Sequence, residues 1–229
     1  MSKTMIENTF VAYLDDEDSP DISNPIHSTE VASSYGFSGP LVGGVTVWGW
    51  CTDTILEALG EDWLDQGWSE YSFRQPTFPG DVLTIKAEKM AGSNSSKWEI
   101  TMSNQNNVVC VSGKVGLGNA PWTREFIRPI TIDVVEEVED KELMILEKVE
   151  VNKDWNAKTL TFSDEVNEEF VSVKQHTENP LFIGSSAIAH PSWIAGWAEQ
   201  LLRHNFIIPT SMHTRSRVQH VRKISLGTP

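Results

Sequence analysis

Few side chains in this 229-residue sequence join a chemically capable type to informative surroundings. His27 closes the run Asn24-Pro25-Ile26-His27, and Asp21 stands six positions before it. An imidazole near a carboxylate suits general acid–base work. The plainer roles are a backbone hydrogen bond for His27 and a self-bonded turn for Asp21 within Ser19-Pro20-Asp21-Ile22-Ser23. Gly43-Gly44 opens one apolar, helix-like stretch, where small size alone would permit close packing. His190-Pro191 opens another, where histidine can cap and proline fits the first turn. His176, with Glu178 two residues on, is a further loop candidate. No metal-ligand spacing, phosphate-gripping glycine loop or nucleophile elbow is visible, so a resident metal or cofactor is not expected.

These residues need elements to hold them. Over 43–60, Trp48, Cys51, Ile55 and Leu59 recur at spacings of one helical face, and Val45, Val47, Trp50 and Leu56 make other faces apolar too. That pattern predicts a helix wrapped on several sides and stopped at Gly60. Beyond it, Tyr71 and Phe73, then Leu83, Ile85 and Ala87, then Trp98, Ile100 and Met102, then Val109, Val111 and Val115 alternate with polar neighbours. Turns rich in Gly, Asn and Ser separate them, as in an antiparallel meander. One apolar helix followed by a meander predicts an α+β unit, a curved sheet around a central helix. The tryptophans read as core and interface packing.

The formal net charge of −14 disfavours nucleic acid as a partner. No apolar run reaches the roughly 20 residues of a membrane span, and the N-terminus lacks the apolar stretch of a secretory signal. Two cysteines do not make a disulfide framework, so a reduced, cytoplasmic setting is expected. Acidic clusters at Asp15–Asp18 and Glu136–Glu142 read as solvated surface. Arg203, Arg215, Arg217, Arg222 and Lys223 form a basic strip near the end of the sequence. It suits either the phosphates of a ligand or a strand edge kept from aggregating.

The sequence repeats itself. Gly49-Trp50 and Gly196-Trp197, Ile55 and Leu202, and Gly80 and Gly227 are each 147 residues apart. Asn24-Pro25 recurs as Asn179-Pro180 at an offset of 155, which a deletion between this pair and the helix reconciles. The organisation expected is a first unit over 1–120, a connecting region over 121–155 and a second, incomplete unit over 156–229. The second is expected to be cut short, its helix left to a missing segment or an association partner.

Asn24-Pro25-Ile26-His27, Glu30-Val31-Ala32, Tyr35-Gly36-Phe37 and Gly39-Pro40-Leu41-Val42-Gly43-Gly44 together resemble the hydratase motif of MaoC-like proteins. Phe73–Asp81 resembles the strand and turn that follow it, and Ile188-Ala189-His190-Pro191 resembles a second helix start. The resemblance implies a duplicated hotdog fold. It also implies hydration or dehydration of an enoyl thioester, with coenzyme A present only as part of the substrate. Fatty acid metabolism, and a homodimer or internal pseudo-dimer, follow as expectations. By that resemblance His27 and Asp21 are the catalytic candidates, and Gly43, Gly44, Asn24 and His190 bind substrate. The Gly44 N–H, at a helix N-terminus, is the oxyanion donor. The motif aspartate position falls on Ile22, with Asp21 one place off, and the helix-start histidine position falls on Gly43. A non-catalytic thioester-binding or assembly subunit and a hotdog thioesterase are the alternatives, because a scaffold alone does not choose among them.

Overall fold

Period-two alternation lets one strand face meet the core while the other meets water. The computed structural model describes residues 3–15, 24–92, 96–127, 130, 132–145, 147–150 and 153–228. Its first strand, β1 (Met5–Val11), is not among those the alternation predicts, because only Ile6 of the strand is buried. After α1 (Thr29–Ser34), the helix expected over 43–60 arrives in two pieces, α2 (Gly44–Gly49) and α3 (Thr52–Leu59). Trp50 and Cys51 lie between them, where the Cys51 N–H donates to Trp48 O at 2.9 Å and tightens the turn. Gly60, at φ 77°, ends α3, and a short α4 (Trp63–Gln66) follows.

The four predicted strands are present as β2 (Gly67–Phe73), β3 (Val82–Lys89), β4 (Lys97–Ser103) and β5 (Val109–Leu117). Leu83, Ile85, Ala87, Ile100, Met102, Val111 and Val115 face inward and are buried. They pack against Val47, Trp48, Cys51 and Ile55 of the central helix in one apolar cluster. Each such side chain stabilises the fold by roughly 1.5–3 kcal/mol relative to exposure. The α+β arrangement is the expected one, an antiparallel sheet wrapped on a helix.

The connecting region contributes β6 (Glu142–Leu143). The second repeat then supplies α5 (Asp164–Glu169), a π-helical run over Phe170–Gln175, α6 (Pro191–Asn205), β7 (Phe206–Ile207) and β8 (Arg215–Gln219). β6 pairs in parallel with β7, and β8 joins the main sheet, whose order is β1-β3-β4-β5-β2-β8. Neighbours in that sheet are antiparallel throughout.

Backbone hydrogen bonds recur with donors 147 residues apart and acceptors 147, 150 or 155 apart. Leu41 N to Ile26 O is matched by Ile188 N to Leu181 O, and Val42 N to Thr77 O by Ala189 N to Ile224 O. Gly80 N to Ala12 O is matched by Gly227 N to Phe162 O. Both turn glycines hold positive φ, 87° and 78°, which a side chain would resist. α6 starts 147 residues after α2, and β8 is the counterpart of β2. Those two strands pair with each other, Glu70 opposite Arg217, and 217 − 70 = 147. A strand that meets its own counterpart at one shared position lies on a local two-fold axis. The repeats are thus packed about a pseudo-two-fold through Glu70 and Arg217. The position 147 residues after the start of β3 is 229, which lies outside the described residues.

β8 is the sheet edge, and the basic strip falls on and around it. Arg215 and Arg217 both bond Glu70, and Arg217 also reaches Glu125 at 2.6 Å. Lys223 pairs with Glu61 and Asp65. Arg215, Arg217 and Lys223 of the strip thus have carboxylate partners within the chain, and Arg203 lies on α6. Among the described residues no helix is long and apolar enough to cross a membrane.

Candidate active site between the repeats

Asn24 organises the loop that carries His27. Its side-chain oxygen accepts from Ile26 N and so starts the 3-10 turn Pro25–His27. Its amide nitrogen donates to Ser211 O at 2.9 Å and Ser211 Oγ at 3.2 Å, tying this loop to the second repeat. Asn24 is buried with its amide engaged, and it also lines the cavity that holds His27. His27 Nδ1 lies 2.6 Å from Leu41 O. A carbonyl can only accept, so Nδ1 is the donor in this contact, and the ring's other nitrogen is Nε2.

That Nε2 edge faces the start of α2. A Cβ built on Gly43 would stand 3.6 Å from His27 Nε2. Gly43 is the N-cap of α2 and makes no side-chain capping bond. A Cβ on Gly44 would come within 2.9 Å of the Phe73 ring, so glycine there permits Phe73 to lie across the helix start. The Phe73 ring in turn meets His213 edge-on at 5.3 Å.

A cavity of about 890 Å³ opens at this point, between the repeats. The first repeat lines it with His27, Gly43, Gly44, Thr46, Phe73 and Arg74, the second with Ser192, Trp193, Gly196, Glu199, Ser211 and His213. Glu199 Oε1 accepts from Arg203 Nε at 3.0 Å and Ser211 Oγ at 3.3 Å. Burial holds the His213 imidazole below its usual pKa, with the Arg215 backbone and the Glu199 charge pulling the other way.

The pseudo-two-fold generates a second position of the same kind, and it is filled. Asn179 repeats the turn, its side chain accepting from Leu181 N at 3.1 Å. Phe182 stands where His27 would, and its ring meets His190 edge-on at 4.6 Å. His190 N-caps α6, its Nδ1 accepting from Ser192 N at 3.3 Å, and Pro191 removes another donor. Burial pushes the His190 imidazole down to about 3. Gln175, from the π-helical run, donates to Thr46 O and presses against Gly49, where an added Cβ would meet its amide at 2.5 Å.

The structure therefore brings His27, Gly43 and Gly44 together and sets His190 apart as a buried cap outside the cavity lining. Asp21 and Ile22 lie outside the described residues. His176 meets Asp15 at 2.6 Å and stacks on Tyr13, so its carboxylate partner is Asp15 rather than Glu178. Glu199, Ser211 and His213 carried no signal readable from the sequence. They reach the cavity only because the repeats pack on one another. Among the described residues no three side chains of His, Cys, Asp or Glu group as a metal ion requires.

No protein-family model and no curated protein matches the sequence. Solved structures do. One is a MaoC-like dehydratase, 15% identical, covering 86% of this chain and 73% of that one at a TM-score of 0.52. Another is a putative MaoC domain protein dehydratase from Chloroflexus aurantiacus, 14% identical, covering 87% of this chain and 68% of that one at a TM-score of 0.53. Both likenesses run through the two repeats, and the fold they share with this chain is the hotdog.

Proposed function

We propose that the chain is a MaoC-like hydratase or dehydratase, adding water to, or removing it from, an enoyl thioester of coenzyme A. The observation that carries this reading is His27 Nε2 facing an uncapped helix start inside a cavity. In hydration, Nε2 takes a proton from water as its oxygen bonds the β-carbon of the double bond. The electron pair moves toward the thioester carbonyl, whose oxygen gains charge beside the Gly44 N–H. Return of a proton to the α-carbon completes the addition, with no oxidant or cofactor needed. Backbone N–H groups at a helix start are fixed before reaction begins, and this gives them their effect. The carboxylate expected to share the proton work is Asp21. Arg74, on the cavity wall, suits the coenzyme's phosphates.

The hotdog fold in its MaoC-like form supports the reading, and a scaffold alone does not decide chemistry. A binding-only subunit is favoured by one feature, Ile22 at the position the motif gives to aspartate. Turnover of short, medium and long enoyl-CoAs by wild type and His27→Ala separates the two. The catalytic reading expects the variant to lose roughly 10²–10⁴-fold in kcat while still binding. Wild-type binding without turnover sinks it, and equal turnover by both proteins removes His27 from the mechanism.

A further inference from the structure

The two helical glycines of the repeat pair differ in their surroundings. Gly49 is pressed by Gln175 and Ser192, whereas a Cβ on its counterpart Gly196 would meet nothing within 4 Å. The emptiness beside Gly196 belongs to the cavity that holds His27. Along the same face of α6 the lining changes character, from Trp193 on one side of Gly196 to Glu199 and Gln200 on the other. Gly196, Glu199 and Gln200 also border an adjoining depression lined by Glu136, Glu137, Lys141, Lys158, Arg203 and His204. The first three residues are the border that the two spaces share.

We propose that the acyl arm of the substrate crosses Gly196 and that the preferred acyl group ends in a hydrogen-bond donor, a hydroxyl or amine, rather than a plain hydrocarbon. The proposal rests on the acyl-thioester reading above. A hydrocarbon end brought against Glu199 and Gln200 would strip water from polar groups without replacing their hydrogen bonds. A donor replaces them, because a carboxylate whose Oε1 already takes Arg203 and Ser211 still has acceptor positions.

The test measures affinity for acetyl-CoA, octanoyl-CoA and octanoyl-CoA hydroxylated at its terminal carbon, by calorimetry, for wild type and Gly196→Leu. Leucine favours helix over glycine, so the variant is expected to melt no lower than wild type. Wild type should prefer the hydroxylated chain to the plain one by about tenfold, the scale of one hydrogen bond to a charged group. In Gly196→Leu that preference should vanish, and the octanoyl-to-acetyl affinity ratio should fall at least about tenfold, as excluding two methylenes would require. A preference that survives the substitution, or equal losses for all three ligands, overturns the path over Gly196. A wild-type preference for the plain chain overturns the polar end. Failure of wild type to bind any of the three removes the acyl-thioester reading, and this proposal with it.

Discussion

The starts of α2 and α6 occupy equivalent places in the two repeats, and their backbones make matching hydrogen bonds. Their side chains differ in one direction only. At α2 every nearby choice keeps the helix start open: glycine at the cap, glycine under Phe73, and an imidazole rather than a phenyl ring on the facing loop. At α6 every choice closes it, with a capping histidine, a proline, Phe182 and the Gln175 amide. An unsatisfied helix start costs stability, and a protein that needs only one site removes that cost at the other. The difference supports the proposed site by contrast within a single chain.

Substitutions that make one start resemble the other sharpen this contrast. Gly43→Ser has the largest expected effect. Serine fits the φ of −57° and ψ of 130° at this position, and its Cβ would meet only ordinary contacts. Its hydroxyl would take an N–H of the first turn, adding a few tenths of a kcal/mol of stability over glycine. Enoyl-CoA turnover should drop by about 10²-fold, because the new side chain stands within 3.6 Å of His27 Nε2 and crowds the helix start where the oxyanion would sit. Unchanged turnover in a protein of unchanged melting temperature would detach the helix start from the chemistry.

Next in size is Gly49→Ala. The added Cβ would stand 2.5 Å from the Gln175 amide and 2.6 Å from Ser192 Oγ, both in buried residues. Overpacking of this kind costs roughly 1–3 kcal/mol, read as a lower urea midpoint. A midpoint at or above that of wild type would show that the filled side has room to spare.

The smallest effect is graded with pH. Burial depresses His190 to about 3 and His220 to about 4, below the ordinary histidine value. The unfolded chain then binds more protons than the folded one as pH falls from about 6.5 toward those values, so stability falls in that window and is retained above it. The slope is about 1.4 kcal/mol per pH unit for each histidine. His190→Asn keeps a capping side chain, and its unfolding free energy should fall more gently between about pH 6 and pH 4.5 than that of wild type. Parallel pH curves for the two proteins would mean that His190 is not held neutral.

The meander was legible because strand burial writes itself as alternation, and Leu83, Ile85 and Ala87 show it plainly. β1 was not, since an edge strand with one buried residue leaves little pattern. The π-helical run left none either, and the break at Trp50 and Cys51 hid inside a stretch that is helical on both sides. In the site, His27 and the glycine pair are contiguous motifs and could be read. Glu199, Ser211 and His213 belong to another repeat and become neighbours only through packing. The filling of the second site by Gln175 is likewise a tertiary fact, although Phe182 in place of a histidine was its one sequence trace.

The axis pair bears on which repeats can pair with one another. A residue on a two-fold faces its own equivalent, so two separate first repeats meeting in this way would oppose glutamate to glutamate. Two second repeats would oppose arginine to arginine, and like charges set directly across neighbouring strands repel. Attraction arises only when one of each kind meets. Glu70 and Arg217 thus form a complementary pair that a symmetric homodimer of either repeat alone would lack.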